Sequence, residues 1–169
     1  MKYAIYYNSA TGNTKMLADH IHSQMKEECL YIGNTDDPKI EEADLIFVGF
    51  WTDKGRCSDP VIELFKHIKN KKIFLFGTAG FGGSPEYFER ILNNVEKYVD
   101  ATCPIIGRYM CQGKMPMSVR VRYQKMHDSD PQNEQFQNLL DNFDKALPHP
   151  NQEDLDALTI QLKSIIKAI

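Results

Sequence analysis

Two hydrophobic periods alternate along this chain. Tyr3 to Tyr7 is an unbroken apolar run that stops at Asn8-Ser9-Ala10-Thr11-Gly12-Asn13-Thr14. So short a run, bounded by turn formers, predicts a buried strand. From Thr14 the spacing becomes helical, with Met16, Leu17, Ile21 and Met25 on one stripe. Further strands are predicted at Cys29 to Ile32, at Ala43 to Phe50 (the most apolar), at Ile73 to Gly77 and at Cys103 to Met110. Helices separate them. One has Asp59 as its cap, Pro60 at its first position and a stripe of Val61, Leu64, Phe65 and Ile68. Another is capped by Ser84, opened by Pro85 and carries Phe88, Ile91, Leu92 and Val95.

Strands that alternate with helical stretches predict an α/β domain with a parallel sheet covered on both faces. Cys111 to Asn151 does not fit the repeat. It holds a basic, weakly periodic piece at Arg120 to Lys125, which reads as a solvated, partly extended insertion, and a helix near Asn133 to Ala146. Pro148-His149-Pro150 breaks that helix. Asn151 then caps a last one along Leu155, Leu158, Leu162, Ile165 and Ile166.

The length of 169 residues suits a single domain, 1–169, with the insertion at about 114–150. A net charge of −3 argues against nucleic acid as a partner, and no apolar run reaches the roughly 18 residues of a membrane span. The four cysteines, Cys29, Cys57, Cys103 and Cys111, are scattered, which fits reduced thiols in a cytoplasmic protein. The histidines are spread too, so no metal site is expected.

The chemistry concentrates in Ser9-Ala10-Thr11-Gly12-Asn13-Thr14, between the first strand and the first helix. At this position α/β sheets bind phosphate, because unpaired amides at a helix N-terminus and the helix dipole favour negative charge. Ser9, Thr11 and Thr14 add hydroxyl donors, Gly12 allows close approach, and no lysine or arginine lies within the loop. It is neither G-x-x-x-x-G-K-[ST] nor G-x-G-x-x-G.

The run S-A-T-G-N-T after a first strand resembles the phosphate loop of the flavodoxin family, [ST]-x-T-G-x-T. Two further loops are similar in place: Trp51-Thr52-Asp53-Lys54-Gly55 after the third strand, and Thr78-Ala79-Gly80-Phe81-Gly82 after the fourth. The resemblance implies FMN as cofactor, with its ring between aromatic side chains, Trp51 and Phe81 standing at the matching places. Tyr87 competes with Phe81 for the second face. It also implies a doubly wound five-stranded sheet in the order 2-1-3-4-5. The function implied is electron transfer to a partner reductase or acceptor, with no catalytic side chain, because the cofactor does the redox chemistry. The alternatives are a flavin-dependent reductase acting directly on a small organic acceptor and a flavin-free interaction module. Cys111 to Pro116 and the stretch from His149-Pro150 to Asp154 resemble a flavodoxin-like subgroup of anaerobic bacteria, which makes a tetrapyrrole-like acceptor the expected setting for the reductase alternative.

The implied redox partner protein is not named by the sequence. Between Asp100 and Asp128 stand Arg108, Lys114, Arg120, Arg122 and Lys125 with no acidic residue. That stretch is expected to dock an anionic acceptor or acidic protein face without being needed for flavin binding. Asp53 and Lys54 would push a flavin potential in opposite directions, which leaves its sign open.

Overall fold

A computed structural model describes residues 1–166. The chain runs β1 (Lys2–Tyr7), α1 (Asn13–Gln24), β2 (Glu28–Gly33), α2 (Lys39–Glu42), β3 (Leu45–Asp53), β4 (Arg56–Cys57), α3 (Asp59–His67), β5 (Lys72–Ala79), α4 (Pro85–Glu96), β6 (Ile105–Gln112), α5 (Met117–Ser129), α6 (Glu134–Ala146) and α7 (Gln152–Ile166). Five strands form a parallel sheet in the order β2-β1-β3-β5-β6, and β4 pairs antiparallel with the end of β3. Counting the parallel strands alone, this is the expected 2-1-3-4-5 order. Among the described residues no helix is long and apolar enough to cross a membrane.

The strands are apolar on both sides because helices cover both faces. On β3 the period of two sends Leu45 and Phe47 to one core, where α1 and α7 supply Leu17, Ile21, Leu158 and Leu162. Ile46, Val48 and Phe50 face the other core, closed by Val61, Leu64 and Phe65 of α3 and Ile91, Leu92 and Val95 of α4.

Three local expectations are corrected. β3 does not stop at Phe50 but continues to Asp53 and turns back into β4, pairing Thr52 with Cys57 and Asp53 with Arg56. The two turn residues, Lys54 at φ 51° and Gly55 at φ 79°, are both left-handed, the geometry that matches the twist of a two-residue hairpin. The cap of α3 is Ser58, not Asp59. The Ser58 hydroxyl makes no cap bond because it donates to Asn8 Oδ1 at 2.8 Å, and Asp59 pairs with Arg56 at 2.9 Å.

The third correction concerns the insertion. Arg120 to Lys125 is not extended: it lies within α5, a 13-residue helix none of whose residues is buried. Its weak apolar period reflects that lack of burial. α5 packs along α6, and Arg120 Nε donates to Asp144 Oδ1 at 3.0 Å. α6 itself is amphipathic, burying Leu140, Phe143 and Ala146.

Candidate functional site

The order β2-β1-β3 reverses direction between β1 and β3, which opens a crevice at their carboxyl ends. A cavity of about 430 Å³ lies there, within the ordinary range for small-molecule sites. A larger and more open groove, about 950 Å³, follows the edge strand β6 away from this switch point.

The loop after β1 forms the first wall. Gly12 takes φ 86°, which turns the chain into α1. Ser9 Oγ folds back over the loop and accepts from the amides of Gly12 at 3.1 Å and Lys15 at 3.4 Å. The amides of Ala10, Thr11, Asn13 and Thr14 find no acceptor among the described residues. Four free donors at a helix N-terminus favour an anion. Lys15, the nearest cation in sequence, is drawn away by Asp19 at 2.6 Å. Thr14 is buried, its hydroxyl 3.2 Å from that of Thr78 on β5, so the loop and the fourth parallel strand are tied together.

Asn13 is the most informative side chain. Its Nδ2 donates to the carbonyl of Lys114 at 2.9 Å, while its Oδ1 is buried with no partner. A buried acceptor left unpaired carries a cost of about 1–3 kcal/mol, so this oxygen calls for a donor.

The hairpin forms the second wall. Trp51, Thr52, Lys54 and Gly55 line the cavity, and Asn94 of α4 holds the hairpin tip through the Gly55 carbonyl at 3.0 Å. Thr52 Oγ1 donates to the Thr78 carbonyl at 2.9 Å. The third wall is Thr78, Ala79, Gly80 and Phe81, the last 47% exposed at the rim, where it meets Tyr87 edge-on with ring centres 6.3 Å apart.

Most residues read from the sequence therefore converge. Ala10, Thr11, Asn13, Trp51, Thr52, Lys54, Gly55, Thr78, Ala79, Gly80 and Phe81 line one cavity, with Ser9, Gly12 and Thr14 shaping its loop. Asp53 and Gly82 do not line it. Asp53 is spent in the hairpin ladder, and Gly82, at φ 89°, turns the chain against the ring of Tyr87. Lys54 and Lys114 are the charged side chains in the lining.

Sequence reasoning missed a fourth wall. Gly113, Lys114, Met115 and Pro116 close the cavity, and Met115 packs on Gly80 where any Cβ would stand. The insertion, expected to dock an acceptor without being needed for flavin binding, thus contributes its first residues to the cavity lining. Their signal was positional: they follow the carboxyl end of the last parallel strand, where open sheets place ligand loops.

Cys57 and Cys111 are both buried, and burial pushes the Cys57 thiol up to about 11 and the Cys111 thiol up as well. Neither is poised as a nucleophile. Among the described residues no cluster of His, Cys, Asp or Glu could hold a metal.

Fold and site together define a doubly wound α/β protein with a ligand cavity at its switch point. The family model for the flavodoxin domain matches residues 4–163, and the chain belongs to that family. It is 36% identical to the flavodoxin-like domain-containing protein BilS of Clostridium symbiosum, over 99% of this chain and 97% of that one. Its fold is similar to oxidised flavodoxin 2 from Bacillus cereus, with a TM-score of 0.63 at 15% identity over the whole of both chains. It is also similar to a flavoprotein in complex with FMN from Lactobacillus acidophilus, with a TM-score of 0.50 at 19% identity over 65% of this chain and 92% of that one.

Proposed function

We propose that this chain binds FMN in the 430 Å³ cavity and carries electrons to a partner redox protein. The observation that carries the reading is a cation-free loop with four unpartnered amides, three of them on cavity-lining residues (Ala10, Thr11 and Asn13), in the same lining as the chain's only tryptophan. The chemistry of those donors fits the cofactor. The amides of Ala10, Thr11, Asn13 and Thr14 suit a phosphate, and Asn13 Oδ1 suits a hydroxyl donor such as those of a ribityl chain. Trp51, Phe81 and Tyr87 offer flat apolar surface to an aromatic ring. When bound, FMN supplies the transfer of electrons, and the protein's part is binding, orientation and electrostatics. The four free cysteines support a cytoplasmic setting.

Fluorescence titration of the apoprotein tests the reading. FMN is expected to bind near one to one, and riboflavin at least about a hundredfold more weakly, since two lost charge-assisted hydrogen bonds remove roughly 3 kcal/mol or more. Equal affinity for the two would remove the phosphate-loop assignment.

A further inference from the structure

Resting on the FMN reading, we propose that Asn142, on α6 of the insertion, is a positioning residue for the cofactor: it fixes the Gly80 peptide so that the Phe81 amide is aimed into the flavin cavity. Gly80 follows β5 directly, and its carbonyl accepts from Asn142 Nδ2 at 2.9 Å and from Gln112 Nε2 at 3.3 Å. Gln112 Nε2 also donates to Asn142 Oδ1 at 3.2 Å. The Asn142 amide is therefore bonded on both its oxygen and its nitrogen, which sets its rotation.

The Gly80–Phe81 peptide is trans, as the described chain has its one cis bond at His149–Pro150. In a trans peptide the N–H points opposite to the C=O. With the Gly80 carbonyl held toward α6, the Phe81 N–H is turned away from α6. Gly80 and Phe81 both line the cavity, and this N–H has no acceptor among the described residues. A preorganised donor costs no reorganisation when charge develops beside it. Reduced flavin is more electron-rich than oxidised flavin, so a donor fixed toward the ring favours the reduced form and raises the potential.

The distance in sequence is what makes the contact informative. Residues 80 and 142 lie on the third wall of the cavity and on the second helix of the insertion, and Asn142 reaches the cavity wall from between the buried residues Leu140 and Phe143. The insertion thus does more than cover the sheet edge. It sets the orientation of a peptide in the pocket.

Asn142→Leu keeps the bulk and removes the donor. The expected result is a fall of about 30 mV in the two-electron potential of bound FMN, equivalent to a tenfold greater loss for the reduced than for the oxidised form. Gln112→Leu should shift it in the same direction, and the double variant by less than the two single shifts added, because both act on one carbonyl. In the parent apoprotein the Phe81 amide should exchange rapidly with deuterium and slow on adding FMN. A variant whose potential stays at the parent value while its melting temperature falls would make Asn142 a brace only, and additive shifts or an unprotected Phe81 amide would also overturn the proposal. Should Asn142→Leu not fold, Gln112→Leu and the parent exchange experiment decide. A parent that takes up no FMN overturns the cofactor reading, and this proposal with it, whereas a parent that binds FMN beside unshifted variants overturns this proposal alone.

Discussion

The indole N–H of Trp51 donates to Asn8 Oδ1 at 2.7 Å, and the same oxygen accepts the Ser58 hydroxyl. Asn8 directly follows β1, just before the hydroxyl-rich loop, and Trp51 lies near the end of the neighbouring strand β3. The two regions suited to phosphate and ring are thereby fixed to each other through one side-chain amide. A ring held before the ligand arrives loses little rotamer freedom on binding.

That relationship makes Trp51 separable into two parts. Trp51→Ala should weaken FMN binding by about tenfold, the loss of roughly 0.5–1.5 kcal/mol of stacking. Trp51→Phe keeps a ring but not the N–H, and an intermediate affinity is expected. Quenching of flavin fluorescence measures both. Parent-like binding by Trp51→Ala would reduce the indole to a lid on the core.

Lys54 and Lys114 line the cavity, and Asp53 does not. Two ammonium groups favour the more negative, reduced cofactor. Lys114→Gln should therefore lower the two-electron potential by about 5–20 mV, as expected for an exposed charge worth about 0.2–1 kcal/mol. Spectroelectrochemistry at low and high salt checks this, and the difference should shrink as salt rises.

On α5 the charges divide into two groups. Arg120 is paired with Asp144, whereas Arg122 and Lys125 have no carboxylate partner among the described residues and lie near Val121, 54% exposed. Replacing Arg122 and Lys125 by Ser should slow oxidation of the loaded protein by the anion ferricyanide and flatten its salt dependence. The Arg120→Ser change should act on stability instead, within about 1 kcal/mol. Stopped-flow rates across a salt series, beside melting temperatures, separate the two. An unchanged rate in the double variant would remove the docking role from this face.

Burial makes the cysteines a pH probe of the folded state. Folding favours the protonated Cys57 thiol, whose pKa rises from 9.0 to about 11. Its contribution to stability is complete below about pH 9 and is lost as pH rises through about 11. Cys111 is raised from the same 9.0 and adds loss of the same sign from about pH 9, and Tyr109 and Tyr3, raised from 10.0, add theirs from about pH 10. The melting temperature should hold to about pH 9 and then fall, and Cys57→Ala should flatten the first part of that fall. At neutral pH, iodoacetamide should label the half-buried Cys29 well before the three buried cysteines, as read by mass spectrometry.

The sequence by itself determined the layered α/β fold and most of one cavity wall after another. A parallel strand covered on both faces must be apolar throughout, so the strands announce themselves, and Ser9 to Thr14 could be read because a loop of consecutive residues carries its own chemistry. Only the tertiary structure decided that Asp53 turns into a hairpin, that α5 is a helix burying no residue, that Lys114 to Pro116 line the pocket, and that Asn142 bonds Gly80 of its wall. The two pocket features depend on contacts across 62 and 101 positions of chain, Gly80 with Asn142 and Asn13 with Lys114. Periodicity reports what a segment buries, not what it meets, and α5 buries no residue while Asn142 meets Gly80 through one polar bond and Gln112 through another.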